Sequence, residues 1–140
     1  MPILESKRLR TQTRLFQYEK ELKRSVRLEL EKIEPGLIAD DDGRERVVAT
    51  GKIDITARDK DGHFVVIELK VGPCPIGALE QVLAYSSDLE AETGVPCRSV
   101  LMASEFSDRI KAAAKRARDV YLVHYAVERM GFAGQLPLRP

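Results

Sequence analysis

Apolar residues recur at intervals of three, four and seven from about Thr13 to Ile33, through Leu15, Leu22, Val26, Leu30 and Ile33, which predicts an amphipathic helix. Pro35-Gly36 ends it. Leu37 to Ala39 reads as a short strand, Asp40-Asp41-Asp42-Gly43 as a turn, and Glu45 to Ala49 as a further extended piece. The period then changes to two. Lys52 to Arg58 and His63 to Val71 are rich in isoleucine and valine and flank Asp59-Lys60-Asp61-Gly62, which predicts a β-hairpin. Gly72-Pro73 ends the second strand. Pro75 suits the first turn of a helix from about Ile76 to Glu92, which Thr93-Gly94-Val95-Pro96 closes. Arg98 to Ala103 predicts a strand, Ser107 the cap of a helix reaching about Ala117, and Val120 to Val127 a last strand. From Gly131 to Pro140 no period is visible, and an irregular tail is expected.

The order α-β-β-β-α-β-α-β predicts an α/β fold with a mixed central sheet, antiparallel in its first half and joined by crossover helices in its second. No repeat, low-complexity tract or linker divides the chain, so residues 1–140 are expected to form a single domain. A hydrophobic fraction of 44% and a charged fraction of 32% suit a folded, soluble chain. No apolar run approaches the ~20 residues that span a bilayer. Met1 to Arg10 carries Glu5, Lys7, Arg8 and Arg10 and does not read as a signal peptide, so a cytoplasmic location without membrane contact is expected. Cys74 and Cys97 lack metal-ligand spacing and are expected to be free thiols.

The net charge of +1 neither marks nor excludes a nucleic-acid partner, but its distribution is uneven. Lys7, Arg8, Arg10 and Arg14, then Lys20, Lys23, Arg24 and Arg27, make the N-terminal quarter basic. Lys111, Lys115, Arg116 and Arg118 form a second group. Each group suits phosphate contacts, but a solvated helix face is the more ordinary reading of either taken alone.

Alternation within the hairpin places Ile53, Ile55, Ala57, Val65, Ile67, Leu69 and Val71 on one apolar face, with Lys52, Asp54, Thr56, Val66, Glu68 and Lys70 on the other. A three-residue loop, Lys60-Asp61-Gly62, pairs Asp59 with His63. Counting back in that register sets Asp54 opposite Glu68 and Lys52 opposite Lys70, with Cβ atoms ~5 Å apart. Two carboxylates at that distance repel each other unless a cation sits between them. Mg²⁺ is a natural occupant, since it takes one or two carboxylates and leaves positions for water and phosphate. Lys70 adds a second positive group, suited to orienting a water or stabilising a pentavalent transition state. The plain alternative is a solvated outer strand face. Against it stands the long first helix, which must pack on the sheet and is expected to cover the face bearing Asp54 and Glu68.

Gly51-Lys52-Ile53-Asp54, then Glu68-Leu69-Lys70 after thirteen intervening residues, resembles the G-x-I/V-D... E-x-K core of PD-(D/E)XK nucleases. Within that superfamily the chain is most similar to the catalytic domain of NucS-type (EndoMS) mismatch endonucleases. Further similarity lies in Glu19-Lys20-Glu21-Leu22, Pro35-Gly36-Leu37, Glu45, Asp59-Lys60-Asp61-Gly62 and Gln81-Val82-Leu83-Ala84-Tyr85.

The resemblance implies a restriction-endonuclease-like three-layer α/β/α fold and a DNA endonuclease that uses Mg²⁺ or Mn²⁺. In it Asp54, Glu68 and Leu69 hold the metal and Lys70 is the catalytic lysine. Gln81 approaches the phosphate or water, Tyr85 and Lys52 are candidate substrate contacts, and Glu19 adds a helix-borne acid, with Glu29 as the alternative. NucS-type proteins carry a further N-terminal DNA-binding domain for which this chain has no room, so mismatch specificity is not expected to transfer. A homodimer or a separate targeting partner is expected instead. Two other readings stay open: a catalytically silent nucleic-acid-binding or scaffold protein, and a structure-selective or RNA-directed nuclease. Histidine-based chemistry is not expected, because His63 lies at the hairpin turn and His124 is isolated in a late strand.

Overall fold

The runs of isoleucine and valine in the middle of the chain become the centre of one mixed sheet. The computed structural model describes residues 17–128, 131 and 132, with side chains as far as residue 126. Leu15, the basic residues between Lys7 and Arg14, and residues 133–140 lie outside the described residues. The elements in chain order are α1 (17–28), α2 (Leu30–Ile33), β1 (Ile38–Ala39), β2 (Arg46–Val48), β3 (Gly51–Ile53), β4 (Ile55–Arg58), β5 (Phe64–Leu69), α3 (Ala78–Thr93), β6 (Cys97–Ala103), α4 (Asp108–Arg116), β7 (Val120–His124), β8 (Val127–Glu128) and β9 (Gly131–Phe132).

The main sheet runs β1-β4-β5-β6-β7, antiparallel from β1 to β5 and parallel from β5 to β7. Its antiparallel half depends on a tight turn. Gly62 sits at φ 82° and donates its N–H to the Asp59 carbonyl at 3.0 Å, while the Asp59 amide bonds the His63 carbonyl at 2.9 Å, so the expected three-residue loop and register form. The parallel half requires crossovers, which α3 and α4 supply. Every residue of β5 is buried, as befits a central strand covered on both faces.

Two cores lie either side of the sheet. On one face Leu22, Val26, Leu30 and Ile33 of the first two helices cluster with Ile55, Ala57, Val65, Ile67 and Leu69. On the other, Val82, Tyr85 and Leu89 of α3 cluster with Ile53, Phe64, Val66 and Leu101, and Ile110 of α4 packs against the same group. The architecture is thus a three-layer α/β/α sandwich. Arg98 of β6 ties it laterally, bonding Glu34 at 2.6 Å and Asp59 at 3.0 Å. Burial alone would raise the Asp59 pKa, but the bonds from Arg98 and from the His63 and Asp61 amides hold it below the usual carboxylate range.

Several expected boundaries move. The first helix is interrupted at Glu29, whose amide bonds the Val26 carbonyl at 3.0 Å and whose carbonyl accepts from Lys32 at 3.0 Å; this tighter turn keeps Leu30 and Ile33 in the core. Pro75 precedes α3 instead of entering it. Gly77, at φ 93°, sets the chain direction, and the helix begins at Ala78. Part of the expected tail is ordered, with Gly131–Phe132 antiparallel to Val127–Glu128.

The largest departure is a break at Asp54. The residues before it leave the main sheet and pair as β3 with β2, so Lys52 faces Val47 and not Lys70. Ile53 correspondingly turns to the α3 core, while Ile55 faces the first two helices. Gly51 is required here because the Tyr85 ring lies against its backbone. A Cβ at position 51 would meet the Tyr85 hydroxyl at 2.4 Å and the ring carbons Cε1 and Cζ at 2.7 and 2.8 Å. Gly51→Ala is therefore expected to destabilise the protein by about 1–3 kcal/mol in urea unfolding, the usual range for overpacking. A change below ~0.5 kcal/mol would show that Tyr85 moves aside freely.

Candidate active site

Strand β4 begins just after Asp54, its register with β5 ends at Ile55 opposite Ile67, and Asp54, at the break, comes beside Glu68. The Asp54 carboxylate takes a place that a neighbouring strand would fill. Its Oδ2 accepts the Leu69 N–H at 2.8 Å, and strand geometry turns the Leu69 carbonyl towards the same edge. Arg27 donates to the Asp54 carbonyl at 3.0 Å and forms a short ion pair with Asp41. The break is thus held from α1 as well as from β5.

Glu68 shares its sheet face with Val66 and Phe64, so α3 covers it. The first helix was expected to do this. It packs instead on the opposite face, which is apolar along β4 and β5 and offers the larger hydrophobic contact. Asp54 and Glu68 are 7% and 4% exposed. Glu68 Oε2 pairs with Lys70 Nζ at 3.1 Å, and that ammonium donates to Gln81 Oε1 at 2.7 Å. Glu68 Oε1 is buried without a hydrogen-bond partner. Burial first, then the Asp54 charge, pushes the Glu68 pKa up to about 7 against the opposing pull of Lys70.

Glu19 reaches this centre through Lys23, which lies 3.4 Å from Glu19 Oε1 and 3.0 Å from Asp54 Oδ1. Glu29 pairs with Lys32 on its own side of the helix break. Tyr85 is buried against Gly51, and Lys52 is exposed on β3. Neither touches the carboxylates through a described bond.

Lys23, Arg27, Asp41 and Glu45 were not singled out as site residues from the sequence. Lys23 and Arg27 belong to a basic group that suited phosphate contacts, yet both turn inward. Their positions carry a signal, since each directly follows a core residue, Leu22 and Val26, and they stand four apart on one helix face. Burial lowers the Lys23 pKa, but bonds to Glu45 and Asp54 outweigh it and hold the ammonium protonated above its ordinary range.

The cysteines are free, and burial together with the Glu90 charge pushes the Cys97 thiol up to about 11, which suits packing and not nucleophilic chemistry. His124 stacks edge-on against Phe106. Among the described residues no helix is long and apolar enough to cross a membrane.

Residues 18–119, which contain all these site residues, match the family model of the endonuclease NucS C-terminal domain. The chain belongs to this NucS family. Endonuclease NucS of Methanopyrus kandleri is 33% identical over 97 residues, 69% of this chain and 36% of the relative. A crystal structure of a repair endonuclease from Pyrococcus abyssi superposes with a TM-score of 0.67 at 27% identity, over 74% of this chain and 45% of that one. An EndoMS complex with double-stranded DNA gives 0.65 at 27% identity, over 79% and 46%. The chain spans about a third of the curated NucS relative and under half of these solved chains.

The raised Glu68 pKa fixes the sign of a pH dependence. Between about 4.5 and 7 folded Glu68 keeps a proton that the unfolded chain has released, so stability falls as pH rises through this window and levels off above it. In EDTA, wild type is expected to lose more stability between pH 5 and 7.5 than Glu68→Gln, by on the order of 3 kcal/mol. Parallel denaturation profiles for the two proteins would refute the assignment.

Proposed function

We propose that this chain is a divalent-metal-dependent nuclease unit that hydrolyses phosphodiester bonds in DNA. The observation that carries the reading is the meeting of two buried carboxylates, Asp54 and Glu68, with one Glu68 oxygen left unpartnered beside a lysine held in place by Gln81. Among the described residues no group of three or more His, Cys, Asp and Glu side chains forms a ready-made metal cage. The donor set instead suits a hard cation that keeps much of its shell for water and phosphate.

Mg²⁺ or Mn²⁺ would be held by Asp54, Glu68 and the Leu69 carbonyl, and when bound would supply Lewis acidity and lower the pKa of an attacking water. Glu68 Oε1 would then gain the positive partner that its buried position lacks. Lys70 orients the water and offsets the charge that develops on the phosphoryl oxygens. Gln81, by accepting from the Lys70 ammonium, fixes where that charge is delivered. Tyr85 acts at one remove, packing under Gly51 and holding the strand that leads into Asp54. Glu19 is proposed to act through Lys23.

DNA is the proposed substrate because relatives named endonuclease NucS and an EndoMS complex with double-stranded DNA share this fold and family. The match lies in the C-terminal part of NucS, so the proposal is confined to the chemistry and leaves mismatch recognition aside. A second copy of the chain or a targeting partner is proposed to supply recognition.

Incubating the protein with plasmid, single-stranded, mismatched and branched DNA tests the reading. Cleavage is expected with Mn²⁺ or Mg²⁺ and none with EDTA. Asp54→Ala, Glu68→Ala and Lys70→Ala are each expected to lower the rate at least ~10²-fold, and Gln81→Ala by about tenfold. Activity that survives in EDTA or in Glu68→Ala would sink the mechanism. DNA binding without cleavage under any metal would favour a silent scaffold.

A further inference from the structure

Lys23 is the point where the site's remaining charges converge. Its ammonium lies 3.0 Å from Asp54 Oδ1, 3.0 Å from Glu45 Oε2 and 3.4 Å from Glu19 Oε1. These three carboxylates come from the strand break, the loop before β2, and α1. The Lys23 side chain is only 20% exposed, whereas those of Glu19 and Glu45 are 47% and 43% exposed. The ammonium therefore stands at the mouth of the site, with its buried partner on one side and two solvated ones on the other.

Both Asp54 oxygens already have a partner. Oδ2 already accepts the Leu69 N–H, and Oδ1 faces Lys23. A divalent cation that takes Asp54 would come within a few ångströms of the Lys23 charge. In a half-buried setting that repulsion weakens binding by at least about tenfold. The helix itself is anchored one turn further on, where Arg27 bonds Asp41 and the Asp54 carbonyl. Relief must therefore come from the flexible four-carbon stem of Lys23, and Glu45 and Glu19 lie ready to receive its ammonium.

We infer that Lys23 is the resident counter-ion of this site: it stands on Asp54 in the metal-free protein and yields that carboxylate to the divalent cation, moving onto Glu45 and Glu19. The inference rests on the metal reading proposed above. It makes Lys23 a positioning residue that sets metal affinity, and it makes Glu19 and Glu45 acceptors for a displaced lysine instead of metal ligands. It also accounts for stability without metal, since the lysine keeps three carboxylates from repelling one another.

Mn²⁺ binding to the EDTA-stripped, DNA-free chain, followed by calorimetry, tests this directly. Lys23→Gln is expected to bind Mn²⁺ at least about tenfold more tightly than wild type, because the competing charge is gone. Its metal-free melting temperature is expected to fall, and the rise on adding Mn²⁺ to exceed that of wild type. Lys20→Gln and Arg24→Gln, which remove neighbouring exposed charges, are expected to change affinity less than about threefold. Asp54→Asn is expected to abolish binding.

Equal or weaker Mn²⁺ binding by Lys23→Gln, with wild type binding normally, overturns the inference and leaves the metal reading intact. Absence of binding in wild type and Lys23→Gln alike removes the metal reading and the inference together. A measurement on the wild-type side chain covers the case of a variant that fails to fold. The ¹⁵Nζ resonance of Lys23, assigned through Lys23→Arg, is expected to shift on Mg²⁺ titration. An unmoved resonance at saturating Mg²⁺ overturns the proposal.

Discussion

Between Ile53 and Ile55 the chain leaves one sheet and enters another, and the hydrogen bond from the Leu69 N–H to Asp54 Oδ2, at 2.8 Å, holds the junction. An edge amide that a continuous strand would have satisfied with a carbonyl is satisfied by a carboxylate. That exchange fixes the orientation of Asp54 and brings it beside Glu68. It also sends the side chains on either side of the break into different cores, Ile53 against α3 and Ile55 against the first two helices. Removing the interruption would flip one of these isoleucines out of its core, since a one-residue change of phase reverses every side chain in a strand. The hydrophobic effect on both faces of the sheet thus maintains the geometry of a polar site.

The site's electrostatics follow from that burial. Two carboxylates sit together in a region that water reaches poorly, and each has recruited one lysine, Lys23 for Asp54 and Lys70 for Glu68. The lysines differ in what holds them. Lys70 is fixed by Gln81, a neutral acceptor on a well-packed helix, so its charge is delivered to a defined point. Lys23 is shared among three acids at the end of a long, flexible stem. One positive group is thus firmly held and the other is shared.

Much of this arrangement was legible along the chain. The hairpin register followed from one loop, because the glycine at position 62 selects a three-residue turn and the pairings from Arg58–Phe64 to Ile55–Ile67 then follow by counting; the count fails beyond the break at Asp54, where Lys52 pairs with Val47. The cap at Ser107 and the close of α3 at Gly94 were equally local, each set by residues within a turn of one another. Gln81 and Tyr85 were recognisable as a pair, but their separate fates were not. One bonds Lys70 and the other fills the space over Gly51, a distinction that depends on how α3 settles on the sheet.

The sequence by itself determined which residues carry charge into an otherwise apolar hairpin, their order, and the register from Arg58–Phe64 to Ile55–Ile67 that brings Asp54 beside Glu68, since these depend on side-chain alternation and a single turn. Only the tertiary structure decided that the strand breaks at Asp54, that α3 and not the first helix covers Glu68, and that Lys23 and Arg27 point into the site. Those outcomes arise from the competition between two hydrophobic faces for two helical layers. A one-dimensional pattern states that a face is apolar, but which helix buries it is settled only when all the layers meet.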